Sequence, residues 1–335
     1  MHEAKFYNKG KSNTVKCVLC PHRCIIKDGK YGKCKARLNK AGVLYSENYG
    51  RVTGLSYDPV EKKPLYHFYP GRQIQSVGTY GCNLHCEFCQ NYHISQVCIK
   101  DLLSSRYMSP EDIILLTLKN NTCCGISYTY NEPATWYEYM MNIAVQAKKA
   151  GMANAVVSNG YINPEPLEML MDITDAFNID LKAFDDDFYR KFTGSTLKPV
   201  KRTIKTIAER NIHLEITNLI LPGLNDDVQT FERFTQWVAD ELGPDIPLHI
   251  NRYFPSYKMT IDPTPIEKIT MLRKKAMDKL NFVYCGNVSS LYGSSDTICP
   301  KCKNTVIQRA DYKTFTEGID NKGNCIHCNY RITVC

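Results

Sequence analysis

Apolar residues in the middle of the chain form short runs rich in β-branched side chains, and longer amphipathic segments separate them. Such runs have the length of strands, and the segments between them have the period of helices. We predict strands at residues 74–80, 125–130, 153–158, 177–181, 213–220 and 247–253. The alternation of strands with helices indicates βα units and a parallel sheet. Six units predict an α/β fold with a partial (β/α)6 barrel rather than a closed eight-stranded barrel.

Capping residues mark where the helices begin and end. Ser109 is a good N-cap, because Pro110 follows at the first helical position and acidic residues fill the first turn. Gly151 is expected to end a helix at about residues 134–150. Further helices are predicted at residues 198–210, 226–242 and 265–280. Because the chemistry of parallel βα folds gathers at the carboxyl ends of the strands, we expect the functional residues there.

Cysteine is the residue type that says most about function. Most of the 16 cysteines fall into three groups, which are Cys17, Cys20, Cys24 and Cys34; Cys82, Cys86 and Cys89; and Cys299, Cys302, Cys325 and Cys328. The N-terminus lacks the apolar core of a signal peptide, and no apolar run approaches the ~18 residues of a membrane span. We therefore expect a cytoplasmic protein without a membrane segment, whose cysteines bind metals rather than form disulfides.

The middle group has the spacing C-x3-C-x2-C, with the aromatic Phe88 just before its last cysteine. Three thiolates can hold three irons of a cubane iron–sulfur cluster, which leaves one iron without a protein ligand. An open coordination position is where metal sites carry out chemistry. The alternative is a structural zinc site that takes its fourth ligand from elsewhere in the chain. The pattern favours the cluster.

The two outer groups have four cysteines each. Two C-x2-C pairs, separated by 22 residues, predict a tetrahedral Zn(Cys)4 site near the C-terminus. The N-terminal group also offers four ligands; zinc is favoured there, and an auxiliary [4Fe-4S] cluster is the alternative, because thiolates suit both metals. We therefore expect a metal-binding subdomain at residues 1–72, the barrel at 73–290 and a zinc-ribbon-like subdomain at 291–335.

The formal net charge of +8 is confined to one part of the chain. Residues 1–72 hold 15 Lys and Arg against 5 Asp and Glu, whereas the remainder is slightly acidic. Bound thiolate metal centres would reduce the positive charge further. The balance therefore argues against nucleic acid as a partner, and it fits an acidic protein or an anionic substrate equally well.

The chain as a whole resembles the radical S-adenosylmethionine (SAM) member of the AmmeMemoRadiSam system, a family related to pyruvate formate-lyase activating enzymes. The resemblance rests on the segment Cys-Val-Leu-Cys-Pro-His-Arg-Cys at 17–24, the cluster loop at 80–91, Asn-Glu-Pro at 131–133, Asp-Leu-Lys at 180–182 and the C-terminal cysteine pairs. It implies a radical SAM barrel with a [4Fe-4S] cluster on Cys82, Cys86 and Cys89, whose open iron binds SAM. It also implies an electron donor such as flavodoxin or ferredoxin.

The chemistry that the resemblance implies is the reductive cleavage of SAM to methionine and a 5′-deoxyadenosyl radical. This radical then abstracts hydrogen from a substrate. The substrate is a peptide, a protein or a small molecule, and the sequence does not identify it. Glycyl-radical activation is one alternative. An alternative from another class is a metal-stapled module that binds a protein or nucleic acid and leaves SAM intact.

The resemblance and the positions of residues at strand ends together predict the residues of the site. The expected cofactor-binding residues are Phe88, Asn131, Glu132, Asn159, Asp180, Lys182 and Glu215. The expected catalytic residues are Asp180, Lys182, His249 and Arg252. Glu132 has the place of the motif that receives the SAM amino group, although it also suits a helix N-terminus as a negative charge. Asp180 and Lys182 share one face of a strand, so a purely structural ion pair stays open, and His249 equally fits a hydrogen-bonded core position.

Overall fold

The computed structural model describes residues 1–288, 294–310 and 313–334, and it begins with small antiparallel sheets. The strands of this part are β1 (His2–Glu3), β2 (Tyr7–Lys9), β3 (Val15–Cys17), β4 (Ile25–Ile26), β5 (Arg37–Lys40), β6 (Val43–Ser46) and β7 (Arg51–Val52). They form two three-stranded sheets of order β1-β6-β5 and β2-β3-β4, and β7 pairs with a later strand. The predicted cysteine-rich N-terminal region is therefore a layer of hairpins and tight loops.

A sheet of eight described strands forms the body of the protein. The next strands along the chain are β8 (Gly54–Pro59), β9 (Gln73–Gly78), β10 (Arg106–Tyr107), β11 (Cys123–Tyr128), β12 (Ala153–Ser158), β13 (Ala176–Asp180), β14 (His213–Ile220), β15 (Leu248–Arg252) and β16 (Val283–Gly286). The main sheet has the order β16-β15-β14-β13-β12-β11-β9-β8, whereas β10 pairs with β7. All neighbours in the main sheet are parallel except β8, which is antiparallel to β9.

The six predicted strands are all present, and the α/β class with a parallel sheet is confirmed. Strands β8 and β16 were not predicted, because β8 has the mixed sequence Gly-Leu-Ser-Tyr-Asp-Pro without an apolar run and β16 has only four residues. Since β8 belongs to the main sheet, this sheet begins before residue 73, where the barrel was expected to start.

Helices connect the parallel strands and cover the sheet. They are α1 (Tyr92–Ser95), α2 (Pro110–Leu118), α3 (Tyr137–Lys149), α4 (Pro164–Met171), α5 (Asp186–Phe188), α6 (Leu197–Glu209), α7 (Val228–Leu242) and α8 (Ile266–Met277). The predicted N-cap is confirmed, because the Ser109 hydroxyl accepts a hydrogen bond from the Asp112 N–H at 3.1 Å and the Asp112 carboxylate accepts one from the Ser109 N–H. Among the described residues, no helix combines the length and apolar character needed to cross a bilayer.

The C-terminal region docks on the main body through buried polar contacts. Its strands are β17 (Thr297–Ile298), β18 (Thr305–Ala310) and β19 (Lys313–Phe315). The Arg309 guanidinium donates to the Tyr66 carbonyl oxygen at 2.7 Å and lies 4.3 Å from the centre of the Tyr66 ring. Burial lowers the pKa of His67 to about 4. The neutral ring therefore donates to the Ile332 carbonyl oxygen and accepts from the Tyr284 hydroxyl, both at 2.6 Å.

The N-terminal region is joined to helix α3 by a buried ion pair. Arg37 and Glu138 have side chains that are each 1% exposed, and the Glu138 oxygens accept from the same guanidinium nitrogen at 2.6 and 2.9 Å. Glu138 also accepts from the Lys5 N–H at 2.7 Å. A buried charge that loses its partner is costly, so this pair fixes how the first cysteine segment sits on the barrel.

We predict that Glu138→Gln lowers the free energy of unfolding by about 3 kcal/mol, because Arg37 would keep its charge in a dry environment without an opposite charge. The control is Glu241→Gln, which breaks an exposed pair with Lys205 and should leave the free energy of unfolding almost unchanged. Urea unfolding monitored by circular dichroism measures both. Equal losses in the two variants would contradict the structural role assigned to Glu138.

Candidate active site

A cavity of about 340 Å³ opens at the carboxyl ends of the parallel strands. This is the end at which parallel βα folds place their chemistry. The predicted residues that line it are Cys82, Cys86, Phe88, Cys89, Asn131, Glu132, Asn159, Asp180 and Lys182. Residues from three different strand ends and from the loop after β9 therefore meet in one place.

The loop after β9 presents three cysteines to this cavity. The Leu84 N–H and the Asn159 side-chain amide point at the Cys82 sulfur, at 3.4 and 3.7 Å, and the Ser95 hydroxyl lies 3.1 Å from the Cys89 sulfur. Burial raises the pKa of the thiols of Cys82 and Cys86. Thiolates at these positions therefore need a cation, and donors aimed at sulfur are the partners that metal-bound thiolates use.

The donor set fits a [4Fe-4S] cluster with one open iron. No fourth cysteine and no histidine is found among the described residues that line the cavity. In the described part of the chain, the sulfurs of the four C-terminal cysteines all lie within 4.8 Å of one another. The three sulfurs of the cavity do not meet this distance criterion. This geometry disfavours the alternative of a single zinc ion, which draws its sulfurs close together.

Glu132 bridges the ends of strands β11 and β12. Its carboxylate accepts hydrogen bonds from the Ser158 hydroxyl and the Asn159 N–H, both at 2.8 Å, and from the Ala134 N–H at 3.1 Å. Burial nevertheless raises the pKa of Glu132 to about 7. A cation that enters the cavity would stabilise the ionised form, so the position suits the binding of an ammonium group.

Asp180 and Lys182 form an ion pair at 2.8 Å and both line the cavity. Burial opposes the charge of Lys182, but the Asp180 carboxylate and the nearby sulfur of Cys86 outweigh it and raise its pKa. The period-two prediction that both side chains share one face is therefore correct. Asp180 and Lys182 are paired with each other and also face the cavity, so a structural ion pair and a role in ligand binding are compatible.

Two asparagines hold the loops around the cavity. The Asn131 side chain accepts from the Thr79 N–H at 3.1 Å and donates to the Gly81 carbonyl oxygen at 2.7 Å. The Asn159 amide donates to the Asn83 side chain at 2.9 Å. Their polar groups are largely occupied by the cluster loop, which they position directly.

Glu215 and His249 lie outside this cavity. Glu215 is fully buried near the start of β14, and its carboxylate accepts from the rings of His213 and His249 at 2.9 and 2.6 Å. It also accepts from the N–H groups of Tyr66 and His67 at 3.0 and 2.7 Å. Burial opposes ionisation, but the histidine hydrogen bonds hold the pKa of Glu215 well below its usual range. Glu215 and His249 thus anchor the segment before β9 and do not line the cavity.

Arg252 also lies outside the cavity, because its side chain donates to the Thr264 carbonyl oxygen at 2.7 Å and stacks near Phe254. The cavity is lined instead by Thr217 and Asn251, each two residues beyond a residue that the sequence had nominated. Both share a strand face with those residues but lie closer to the carboxyl end. The strand-end rule contained the signal needed to choose them.

A further wall of the cavity contains Lys62, Lys63 and Tyr130. Lys63 pairs with Asp58 at 2.8 Å, and the Tyr130 hydroxyl donates to the same carboxylate at 3.0 Å. Burial opposes ionisation of Asp58, yet the hydrogen bond and charge of Lys63 lower its pKa to about 2. These residues were missed because β8, which carries Asp58, was not predicted.

The two outer cysteine groups lie apart from this cavity. The sulfurs of Cys299, Cys302, Cys325 and Cys328 all lie within 4.8 Å of one another. Cys17, Cys20, Cys24 and Cys34 line a separate small cavity of about 20 Å³. His22 also lines this cavity, and its Nε2 lies 2.8 Å from the Asn83 carbonyl oxygen, so this nitrogen is already engaged.

Comparison with known proteins agrees with this arrangement. The sequence pattern described as Radical SAM superfamily matches residues 76–235. An uncharacterized protein of Methanocaldococcus jannaschii is 43% identical over 337 residues, which covers 100% of this chain and 99% of that protein. The pyruvate formate-lyase 1-activating enzyme of Escherichia coli K12 is 22% identical over 168 residues, which covers 48% of this chain and 66% of the enzyme.

The fold is shared with solved structures. The crystal structure of SuiB from Streptococcus suis bound to S-adenosylmethionine aligns with a TM-score of 0.51 and 14% identity, over 64% of this chain and 50% of SuiB. This similarity concerns the fold alone. The sequence matches, with the three-cysteine loop at the strand ends, show that the chain is a radical SAM enzyme related to the pyruvate formate-lyase activating enzymes.

Proposed function

We propose that this enzyme reductively cleaves SAM and uses the resulting radical to abstract hydrogen from a substrate. The observation that carries the proposal is the meeting of three cysteines, without a fourth thiol among the described lining residues, with Glu132, Asp180 and Lys182 in one cavity of about 340 Å³. SAM carries an ammonium group and a carboxylate. A site that combines thiols with acidic and basic side chains therefore suits it.

The residues of the cavity have distinct roles in this proposal. Cys82, Cys86 and Cys89 would hold a [4Fe-4S] cluster, which when bound supplies the electron that breaks the C5′–S bond of SAM. Glu132 would accept the ammonium group of SAM. Lys182 places a positive charge near the cysteine sulfurs and offsets the negative charge of the thiolate ligands. The strand ends and the loop around them would limit the access of water to the reacting groups.

The proposed substrate is a peptide, a protein or a small molecule. The relationship to activating enzymes favours a protein substrate, and glycyl-radical activation is therefore the second candidate within this class. For the electron donor we propose a small acidic protein such as ferredoxin or flavodoxin. The surplus of ten positive charges in residues 1–72 supports a negatively charged partner.

We also propose that Cys299, Cys302, Cys325 and Cys328 bind zinc. Sulfur–sulfur distances of 3.5 Å between Cys299 and Cys328 and 3.6 Å between Cys302 and Cys325 are those of four thiolates around one ion. The segment buries few apolar side chains of its own, so metal binding would supply much of its folding free energy.

Replacing Cys86 tests the cluster. We predict that Cys86→Ala abolishes the formation of 5′-deoxyadenosine from SAM under dithionite, because two cysteines cannot hold the cluster. The control is Cys98→Ala, which removes a cysteine that lies outside the cavity and should retain the activity. Assay by liquid chromatography of anaerobically reconstituted protein measures both. Retained cleavage in Cys86→Ala would refute the assignment, and zinc-only wild-type protein that leaves SAM intact would support the binding-module alternative.

Glu132→Gln tests the ammonium site. We predict that it weakens SAM binding by about tenfold to a hundredfold without loss of iron, because a charge-assisted hydrogen bond contributes about 1.5–3 kcal/mol. Glu87→Gln is the matched control, since Glu87 belongs to the cluster loop but does not line the cavity. Anaerobic calorimetry gives the affinities. Equal affinity in the wild type and Glu132→Gln would restrict Glu132 to bridging the strand ends.

A further inference from the structure

We propose that Cys17, Cys20, Cys24 and Cys34 hold a second [4Fe-4S] cluster rather than a zinc ion. The sequence alone favoured zinc, because four thiolates suit both metals. The structure separates the two possibilities through the spacing of the sulfurs, the character of the cavity between them and a buried donor that has no protein partner.

Sulfur spacing distinguishes the three cysteine groups. One zinc ion with bonds of about 2.3 Å holds four tetrahedral sulfurs about 4 Å apart. The C-terminal cysteines meet this condition within 4.8 Å. The N-terminal four, although all described, do not form such a group, and neither do the three of the active-site loop. A cubane cluster binds each cysteine at a separate iron corner and therefore needs the wider arrangement.

The space between the N-terminal sulfurs is shaped for a compact inorganic group. The four cysteines line one enclosed cavity, and Leu19, Ile26 and Ala134 form apolar walls around it. Among the described lining residues the remaining candidate ligand is His22, whose Nε2 is engaged by the Asn83 carbonyl oxygen. Among the described lining residues the four thiols are therefore the principal metal ligands, which is the donor set of iron–sulfur clusters.

Arg37 supplies an independent observation. Its side chain lines the cysteine cavity and is 1% exposed, yet its Nε has no hydrogen-bond partner. The two terminal nitrogens are occupied by the Lys5 carbonyl oxygen and the Glu138 carboxylate. A buried N–H group without a partner is costly, and a sulfur of a negatively charged thiolate centre would satisfy it. Arg37 indicates an anionic group in this cavity, and the sulfur spacing identifies the group as a cluster.

The second cluster would lie one layer of residues from the active-site cysteines. Asn83 lines the N-terminal cavity, and its neighbour Cys82 lines the active site. A Cβ atom on Gly81 would lie 2.6 Å from the Cys34 carbonyl oxygen, so the two loops are in direct contact. Given the proposed function, this proximity would let one electron pass from a low-potential one-electron donor protein, through the N-terminal cluster, to the active-site cluster. No bond is made or broken in that transfer.

The deciding experiment uses the full chain with Cys82, Cys86 and Cys89 all replaced by alanine, which leaves the N-terminal group intact. After anaerobic reconstitution, iron, acid-labile sulfide and zinc are measured, and the dithionite-reduced protein is examined by electron paramagnetic resonance. We expect about four irons, about four sulfides, one zinc and a reduced-cluster signal, against about eight irons in the wild type. Cys302→Ser should lose the zinc and retain all the iron.

Two zinc ions without iron in the triple variant would overturn the proposal, as would a single iron without sulfide or an empty site. A Cys20→Ser variant provides the complementary measurement and should reduce the wild-type iron from about eight to about four. The result is independent of the proposed function, because metal content is read whether or not SAM is cleaved. Loss of SAM cleavage with four irons left in the triple variant supports both conclusions, whereas four irons in a wild type that cleaves SAM would overturn the second cluster alone.

Discussion

The active site depends on the close packing of Gly81 against the N-terminal cysteine segment. Gly81 has φ +87°, and a Cβ atom there would lie 2.6 Å from the Cys34 carbonyl oxygen and 2.8 Å from the Ala36 side chain. Its carbonyl oxygen accepts from Asn131 at 2.7 Å. Since Cys82 follows directly, a side chain at residue 81 would displace the first cysteine of the loop. The position of the N-terminal segment and the geometry of the active site are thus parts of one arrangement.

Buried charges in this protein occur in partnered groups, and each group holds one segment in place. Arg37 with Glu138 holds the N-terminal segment on α3, and Glu215 with its histidines holds the segment before β9. Asp180 with Lys182 differs, because the pair faces the cavity. Partnering offsets the high cost of burying a charge in every case, but Asp180, Lys182 and Lys63 also line the cavity and can therefore act on a ligand.

Much of the fold and the centre of the site could be predicted from the sequence. The six strands followed from their β-branched runs, and the cysteine loop, Asn131, Glu132, Asn159, Asp180 and Lys182 followed from motifs at strand ends. The prediction was less successful where a polar residue lies inside a strand. Glu215 and His249 have the chemistry of catalytic groups, but their side chains do not line the cavity, and long-range contacts with Tyr66 and His67 decide their role. The placement of Lys63 and Tyr130 at the cavity depends on the pairing of β8 with β9, which no local sequence pattern predicts.

The central claim is that the cluster on Cys82, Cys86 and Cys89 keeps one iron open to SAM. The most direct measurement is the electron paramagnetic resonance spectrum of the reduced, reconstituted protein with and without SAM carrying ¹⁷O in its carboxylate. Our account predicts that SAM changes the spectrum of this cluster and that the labelled oxygen shows hyperfine coupling to it, because the described cavity provides no fourth thiol. An unchanged spectrum, without coupling to the label, would contradict the account.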